Sequence, residues 1–246
     1  MTVTENSQAQ VNSPSQRLRQ ALTLTALSLA GTHNIRLFDN PRIREIYPRY
    51  LLSLYPGTRA AVPLIIAARD AVLNSSDRDS PRSRALAAYY TKRIPEELGH
   101  DEWVLEDLAR LGISESDVKS HSYPPSTAAL VGSQYFYINH GQPVALLGYM
   151  GVLEGFPPIE SELRATAERT GYPLESFRTL RKHGNLDIHH RDDLNIFLDS
   201  APLSEQDMVL VITNAIATYE RAAAMIAEVV TGHPMTILRT ERTRSS

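Results

Sequence analysis

From about residue 40 to residue 230 the apolar residues recur three and four apart, and strict two-residue alternation is hard to find anywhere. That period commits the chain to helices, and helices with one apolar stripe must bury it against one another. The expected class is all-α, a compact bundle of about seven or eight helices. The punctuation gives their limits. Asn40 and Pro41 suit the start of a helix over 40–55, stopped by Pro56-Gly57, with a second over 58–73. A Ser/Asp/Pro loop over 74–83 precedes a long helix over 84–111, which Pro95 should kink or restart and Gly112 should end. Further helices fit 126–139, 143–154, 158–169, 177–198 and 204–230, the last closed by Gly232.

The chain has 246 residues, enough for one substantial core. Residues 1–15 are polar and aperiodic and read as a disordered leader; 16–232 read as one helical domain and 233–246 as a tail. A semi-apolar run over 21–30 follows Arg17 and Arg19, but the basic pair comes late and Thr23 and Thr25 dilute the run, so a first helix is favoured over a signal peptide. No apolar stretch is expected to span a bilayer; the best, 208–217, is broken by Thr213 and Asn214. With 25 Lys+Arg against 28 Asp+Glu, a nucleic-acid partner is not expected either. The absence of cysteine excludes disulfide scaffolds, Cys-ligated metals and thiol catalysis, and fits a cytoplasmic protein.

Three places carry chemistry. In HGNLDIHH, the residues His183, Asp187 and His190 fall at about 0°, 40° and −20° around a helix axis, on one stripe, with His189 turned away. An acid between two imidazoles suits a cation with mixed oxygen and nitrogen ligands; a solvated polar face explains it equally well. In EELGHDEWVLEDL, Glu97 and His100 stand three apart, the Glu-x-x-His spacing of carboxylate-bridged dimetal bundles. Glu102, Glu106 and Asp107 would face solvent or orient a ligand from behind. In LLGYMGVLEGF, Glu154 ends an apolar turn, where a carboxylate is costly unless a cation meets it. That cation is either a metal or an arginine or lysine. Together the set is three imidazoles and three carboxylates without a thiolate, which suits iron or manganese and is too many ligands for one metal with an open position.

The strings EELGHDEWVLEDLARLG, GYMGVLE and HGNLDIHHRDDL, in this order and at these intervals, resemble the haem-oxygenase-like diiron oxidases, also known as iron-containing redox enzymes. The similarity runs over about 58–230. It implies a seven-helix haem-oxygenase-like bundle, usually a homodimer, and an oxidoreductase that needs two Fe(II) and takes dioxygen as co-substrate, without haem. The family's metal ligands carry over to Glu97, His100, Glu154, His183, Asp187 and His190, with Glu97, Glu154 and Asp187 at the reacting centre. Its members hydroxylate or N-oxygenate amines, cleave carbon–carbon bonds of amino acids and fatty acids, or desaturate, several of them in natural-product biosynthesis and with an external electron donor. Among them the chain looks most like the cyanobacterial nitrile-forming enzymes, which rearrange a tryptophan side chain. That points to a small amino-acid-like substrate, bordered by Val104 and Met150 one turn from their ligands and by the aromatic surfaces of Tyr135, Phe136, Tyr137 and Tyr149, although plain core packing explains each aromatic singly.

One departure stands out. Many members place a further carboxylate on an early core helix, and here AAVPLIIAARDAV is apolar at that point. Either Asp70 supplies the group or the centre has one ligand fewer and holds its metal more loosely, which the family's substrate-dependent metal assembly would allow. Arg69 could then meet a substrate carboxylate, and Gly184, inside a ligand helix, would let that segment rearrange. Two rivals remain: a metal-free enzyme of the same bundle, thiaminase-like (against which the missing cysteine counts) or quinone-cofactor-synthase-like, and a non-catalytic helical metal-binding or interaction protein.

Overall fold

The computed structural model describes residues 12–30 and 37–232. Ten α-helices follow in order: α1 (Pro14–Ala30), α2 (Ile43–Leu73), α3 (Pro81–Glu97), α4 (His100–Arg110), α5 (Glu115–Ser120), α6 (Pro125–His140), α7 (Leu146–Leu153), α8 (Glu160–Thr170), α9 (Arg178–Ser200) and α10 (Glu205–Thr231). Short 3₁₀ turns lead into α7 and α9. No strand occurs among the described residues, as the periodicity requires.

Several boundaries are written locally. Ser80 caps α3, accepting from the Ser83 N–H, with Pro81 in the first turn. Ser204 and Asp207 form a reciprocal capping box at α10, and Ser114 and Asp117 do the same for the short α5, which the hydrophobic pattern did not reveal. Gly112, Gly171 and Gly232 take the left-handed conformation where α4, α8 and α10 end.

Other expectations fail, each for a tertiary reason. Pro56-Gly57 does not stop a helix: α2 runs unbroken through Pro48, Pro56 and Pro63. The dipeptide costs roughly 4 kcal/mol of local preference. Against this, α2 buries Leu51, Leu52 and Tyr55 before it and Leu64, Ile65 and Ala68 after it, in contact with α3, α4 and α6. The α1 helix starts at Pro14, where the Ser15 N–H and hydroxyl both donate to Asp199 of α9. Residues 1–11 and the tail lie outside the described residues. The α2 and α10 helices are, by length and composition, apolar enough to cross a membrane, contrary to the sequence reading. Both instead supply the core: α10 packs on α1, α6 and α7, and its Asn214 is buried and bonded to Gln134 and the Ala145 carbonyl.

The apolar interior forms two clusters, both reached by α2 and α10. The first joins the second half of α2 with α1, α3, α6, α7 and α10; the second joins the first half of α2 with α4, α8 and the start of α9. Tyr149 and Met150 belong to the first and Val104 to the second.

Candidate metal centre

Glu97 and His100 do not share a helical face. The α3 helix ends at Glu97, Leu98 is extended, Gly99 has φ +82°, and α4 begins at His100. Pro95 in the last turn of α3 has no N–H to continue the ladder, and Gly99 supplies the positive φ that restarts it. The break nevertheless brings the pair together: His100 Nδ1 lies 3.2 Å from Glu97 Oε2.

The α9 stripe is as its spacing predicts. Asp187 and His190 are buried, His183 is half-buried and His189 is exposed. His183 Nδ1 lies 2.8 Å from the Thr179 carbonyl, which fixes its ring and leaves Nε2 for another partner. The His183 ring stands edge-on to that of His100, with centroids 5.0 Å apart. His190 Nδ1 is 3.6 Å from Glu97 Oε1. Asp107 is fully buried and accepts from the Thr179 N–H at 2.8 Å, so it anchors the turn that orients His183. Glu102 is exposed, and Glu106 pairs with Arg178.

Glu154 closes α7, 7% exposed, and meets an arginine that the sequence reading did not identify. Arg93, fully buried, donates from Nη2 to Glu154 Oε1 at 2.5 Å and to Glu97 Oε1 at 2.9 Å, and from Nη1 to Glu96 Oε2 at 2.7 Å. The arginine alternative for Glu154 is therefore real. The Arg93–Glu97 spacing of four was visible in the sequence; the contact to Glu154, 61 residues away, was not. Arg93 does not exhaust the acceptors. Glu154 Oε2 is buried with no hydrogen-bond partner, and Asp187 has no ion-pair partner among the described residues. One ligand atom each from Glu97, Glu154 and His190 lies within 4.8 Å of the others.

The electrostatics follow from burial. Desolvation, with Glu97 and Asp187 adding and Arg93 opposing, pushes the Glu154 carboxyl up to about 8. Burial and Glu97 push Asp187 up to about 7, while burial and Arg93 lower His190 to about 4. Glu97 stays below the usual range: burial works against ionisation, but His100 and Arg93 outweigh it. Between pH 6.5 and 8 Glu154 and Asp187 retain protons that an unfolded chain has lost, which lowers stability as pH rises; His190 and His183, held neutral by burial, oppose this only near the lower end, where an unfolded imidazole is still partly protonated. The metal-free protein is expected to melt at a lower temperature at pH 8 than at pH 6.5, with a smaller difference in Glu154→Gln. Equal slopes in the two proteins would contradict the Glu154 assignment.

Among the residues expected at the substrate, Val104, Tyr149 and Met150 are buried, and the Tyr149 hydroxyl has no hydrogen-bond partner. Phe136 is corrected: it is 62% exposed on the outer side of α6, against Tyr137 and His140, because the positions of α6 facing the core are Leu130, Gln134 and Ile138. Tyr135 packs at the edge of the first cluster. Asp70 does not enter the centre. It is half-exposed and pairs with Arg69 at 2.7 Å, which also engages that arginine. Gly184 has a packing reason rather than a mobility one: a Cβ there would lie 2.5 Å from the Pro158 carbonyl. Trp103, the single tryptophan, was overlooked. It stacks on His100 with centroids 4.1 Å apart, and Lys182 Nζ lies 4.0 Å from its ring centroid. A cavity of about 370 Å³ is lined by residues that include Arg19, Leu22, Phe156, Arg191, Asp192 and Asn195; Gly155, also in its lining, directly follows Glu154, as Arg191 follows His190.

The donors fit iron. They are imidazoles and carboxylates, they are buried or half-buried, and Glu154 Oε2 is held away from water without a partner. Comparison with known proteins agrees. The sequence profile of a family described as iron-containing redox enzyme matches residues 68–221. No curated protein matches the chain. Among solved structures, a domain of unknown function with a haem-oxygenase-like fold from Shewanella denitrificans OS217 is similar, with a TM-score of 0.74 and 20% identity, over 90% of this chain and 93% of that one. A TenA homolog from Pseudomonas syringae pv. tomato DC3000 is similar with a TM-score of 0.66 and 13% identity, over 94% and 98%. At such identities the structural neighbours establish the fold, and the profile, which spans more than half of the sequence, establishes the family. On both grounds the chain belongs to the iron-containing redox enzymes and has the haem-oxygenase-like all-α bundle.

Proposed function

We propose that this protein is a non-haem iron oxidase or oxygenase that uses dioxygen on a small amino-acid-like substrate, at a centre formed by Glu97, His100, Glu154, His183, Asp187 and His190. The observation that carries the reading is the buried donor set itself, with Glu154 Oε2 unpartnered among five further imidazole and carboxylate groups. Bound ferrous iron would supply one-electron chemistry toward dioxygen, which the side chains of this protein lack. Glu97 and Glu154 each present two oxygens and so have the capacity to bridge two ions. The Thr179 carbonyl holds His183 in one tautomer, and Asp107 holds Thr179. Val104, Tyr149 and Met150 keep water from the centre on the core side.

The substrate class is supported by the cavity at Arg19. Arg19 is held there by the Asn195 side chain and the Gly151 carbonyl, with Glu154 and the lining carboxylate Asp192 near enough to act on its charge, which a substrate carboxylate would share with them; Phe156 and Leu22 offer apolar surface. The volume lies in the range of small-molecule sites. An aromatic amino acid of the tryptophan type converted to a nitrile is our specific expectation; N-oxygenation, C–C cleavage or desaturation of another amino acid or a fatty acid is the alternative outcome of the same assay. We further propose a cytoplasmic homodimer supplied by an external electron donor.

The test is anaerobic loading with Fe(II), metal analysis, and oxygen uptake with a panel of amino acids and fatty acids, products being followed by mass spectrometry. Retained iron and substrate-dependent oxygen uptake are expected; no bound iron, or no uptake with any member of the panel, overturns the reading. A second prediction needs no substrate. Because the single tryptophan stacks on His100, Fe(II) or Mn(II) should quench intrinsic fluorescence saturably, and His100→Ala should abolish the effect. Unchanged emission at saturating metal would place the ion elsewhere.

A further inference from the structure

Arg93 heads the large side chains that are fully buried, and its bonding is unlike that of a structural ion pair. A buried arginine ordinarily engages one carboxylate through two parallel N–H groups, with its remaining donors satisfied. Here a single atom, Nη2, is shared by Glu97 of α3 and Glu154 of α7, while Nε is buried without a partner. A point of positive charge shared between carboxylates of two helices is the arrangement of a bound cation.

It also takes one oxygen from each. Arg93 holds Oε1 of Glu97 and Oε1 of Glu154. The other oxygens are left over: Glu97 Oε2 beside His100 Nδ1, and Glu154 Oε2 buried and unpartnered. His190 Nδ1 stands on the occupied side, 3.6 Å from Glu97 Oε1. The two carboxylates therefore present two places for positive charge, and Arg93 is already in one.

We infer that the Arg93 guanidinium stands in for one of the two cations of this centre, so that the resting chain takes a single metal beside His100 and a second only when Arg93 leaves Glu97 and Glu154. Charge counting supports this. The Arg93 guanidinium already places a positive charge on Oε1 of Glu97 and Oε1 of Glu154, and a second divalent ion beside it would set two cations against the same buried oxygens. Glu96, at the partly exposed edge, pairs with Nη1 and tethers the arginine there. The inference rests on the iron reading proposed above but goes beyond it, because it assigns a stoichiometry and an arginine that controls it.

The experiment is anaerobic titration of the full chain with Mn(II), followed by calorimetry, metal analysis after gel filtration, and electron paramagnetic resonance. Wild type is expected to bind one Mn(II) per chain with the hyperfine pattern of an isolated ion, and any second ion at least about tenfold more weakly, a difference of about 1.4 kcal/mol. Arg93→Gln should bind two with a spin-coupled signal, and should melt lower than wild type without metal but recover with it. Arg93→Lys, which keeps the charge, should still take one. Should the Gln variant not fold, the wild-type stoichiometry and the Lys variant decide. Two equivalent Mn(II) in wild type, or one in Arg93→Gln, overturns the role of Arg93 and leaves the iron reading standing. No metal in any of the proteins overturns both.

Discussion

Glu154→Gln is expected to lower turnover and iron affinity by roughly a hundredfold or more, with little change in fold. Losing a group behind a ligand costs about 10–100-fold, and loss of a bridging carboxylate should exceed that. The amide keeps a carbonyl for the Arg93 Nη2, so the buried guanidinium is not abandoned. It also resembles the protonated acid that burial favours, so the metal-free melting temperature near neutral pH should barely move. Glu154→Ala is a different experiment: it leaves Arg93 short of a partner in the core and should cost about 3–5 kcal/mol. Oxygen uptake, metal analysis and thermal melts of both variants separate ligand loss from structural loss. If the Gln variant keeps wild-type iron and turnover, Glu154 is only the partner of Arg93.

The largest stability effect is expected at Gly148. A Cβ there would lie 2.1 Å from the Val211 carbonyl oxygen and 2.8 Å from the Ala215 nitrogen. Both are backbone atoms of α10, so no side-chain rotation relieves the overlap, and α7 must move away. Gly148→Ala should cost about 3 kcal/mol or more, which for a chain of this size lowers the melting point by on the order of 10 °C. Since α7 also places Tyr149, Met150 and, at its end, Glu154, metal affinity should fall with stability. Gly132→Ala is the control: nothing lies within 4 Å of its Cβ, it is exposed in α6, and the change should be neutral or stabilising by about 1 kcal/mol. A Gly148→Ala melt that matches wild type would show that α7 and α10 are not in backbone contact.

The all-α class and the stripe of His183, Asp187 and His190 were legible in the sequence because each depends on residues within a few turns of one another, whereas α3 starts at Pro81, inside the expected 74–83 loop. The helix phase alone turns His189 outward and Asp187 and His190 inward. The cost of Glu154 in an apolar segment was legible too, but the identity of its partner was not. Pairing Arg93 with a residue 61 positions away is a property of the tertiary fold that brings the end of α7 to the side chain of α3, and no local period encodes it. The same limit explains Pro56-Gly57, where contacts to three other helices outweigh a strong local stop signal. It explains Phe136, whose outward position follows from which face of α6 the core claims, and Asp70, which remains at the surface with Arg69. Glu97 and His100 meet for a reason opposite to the expected one, across a helix break rather than along a helix face. Residue type and spacing thus determined which donors this chain has and that they stand on helices. Long-range packing, by deciding which charges lose contact with water together, determined that an arginine shares their carboxylates.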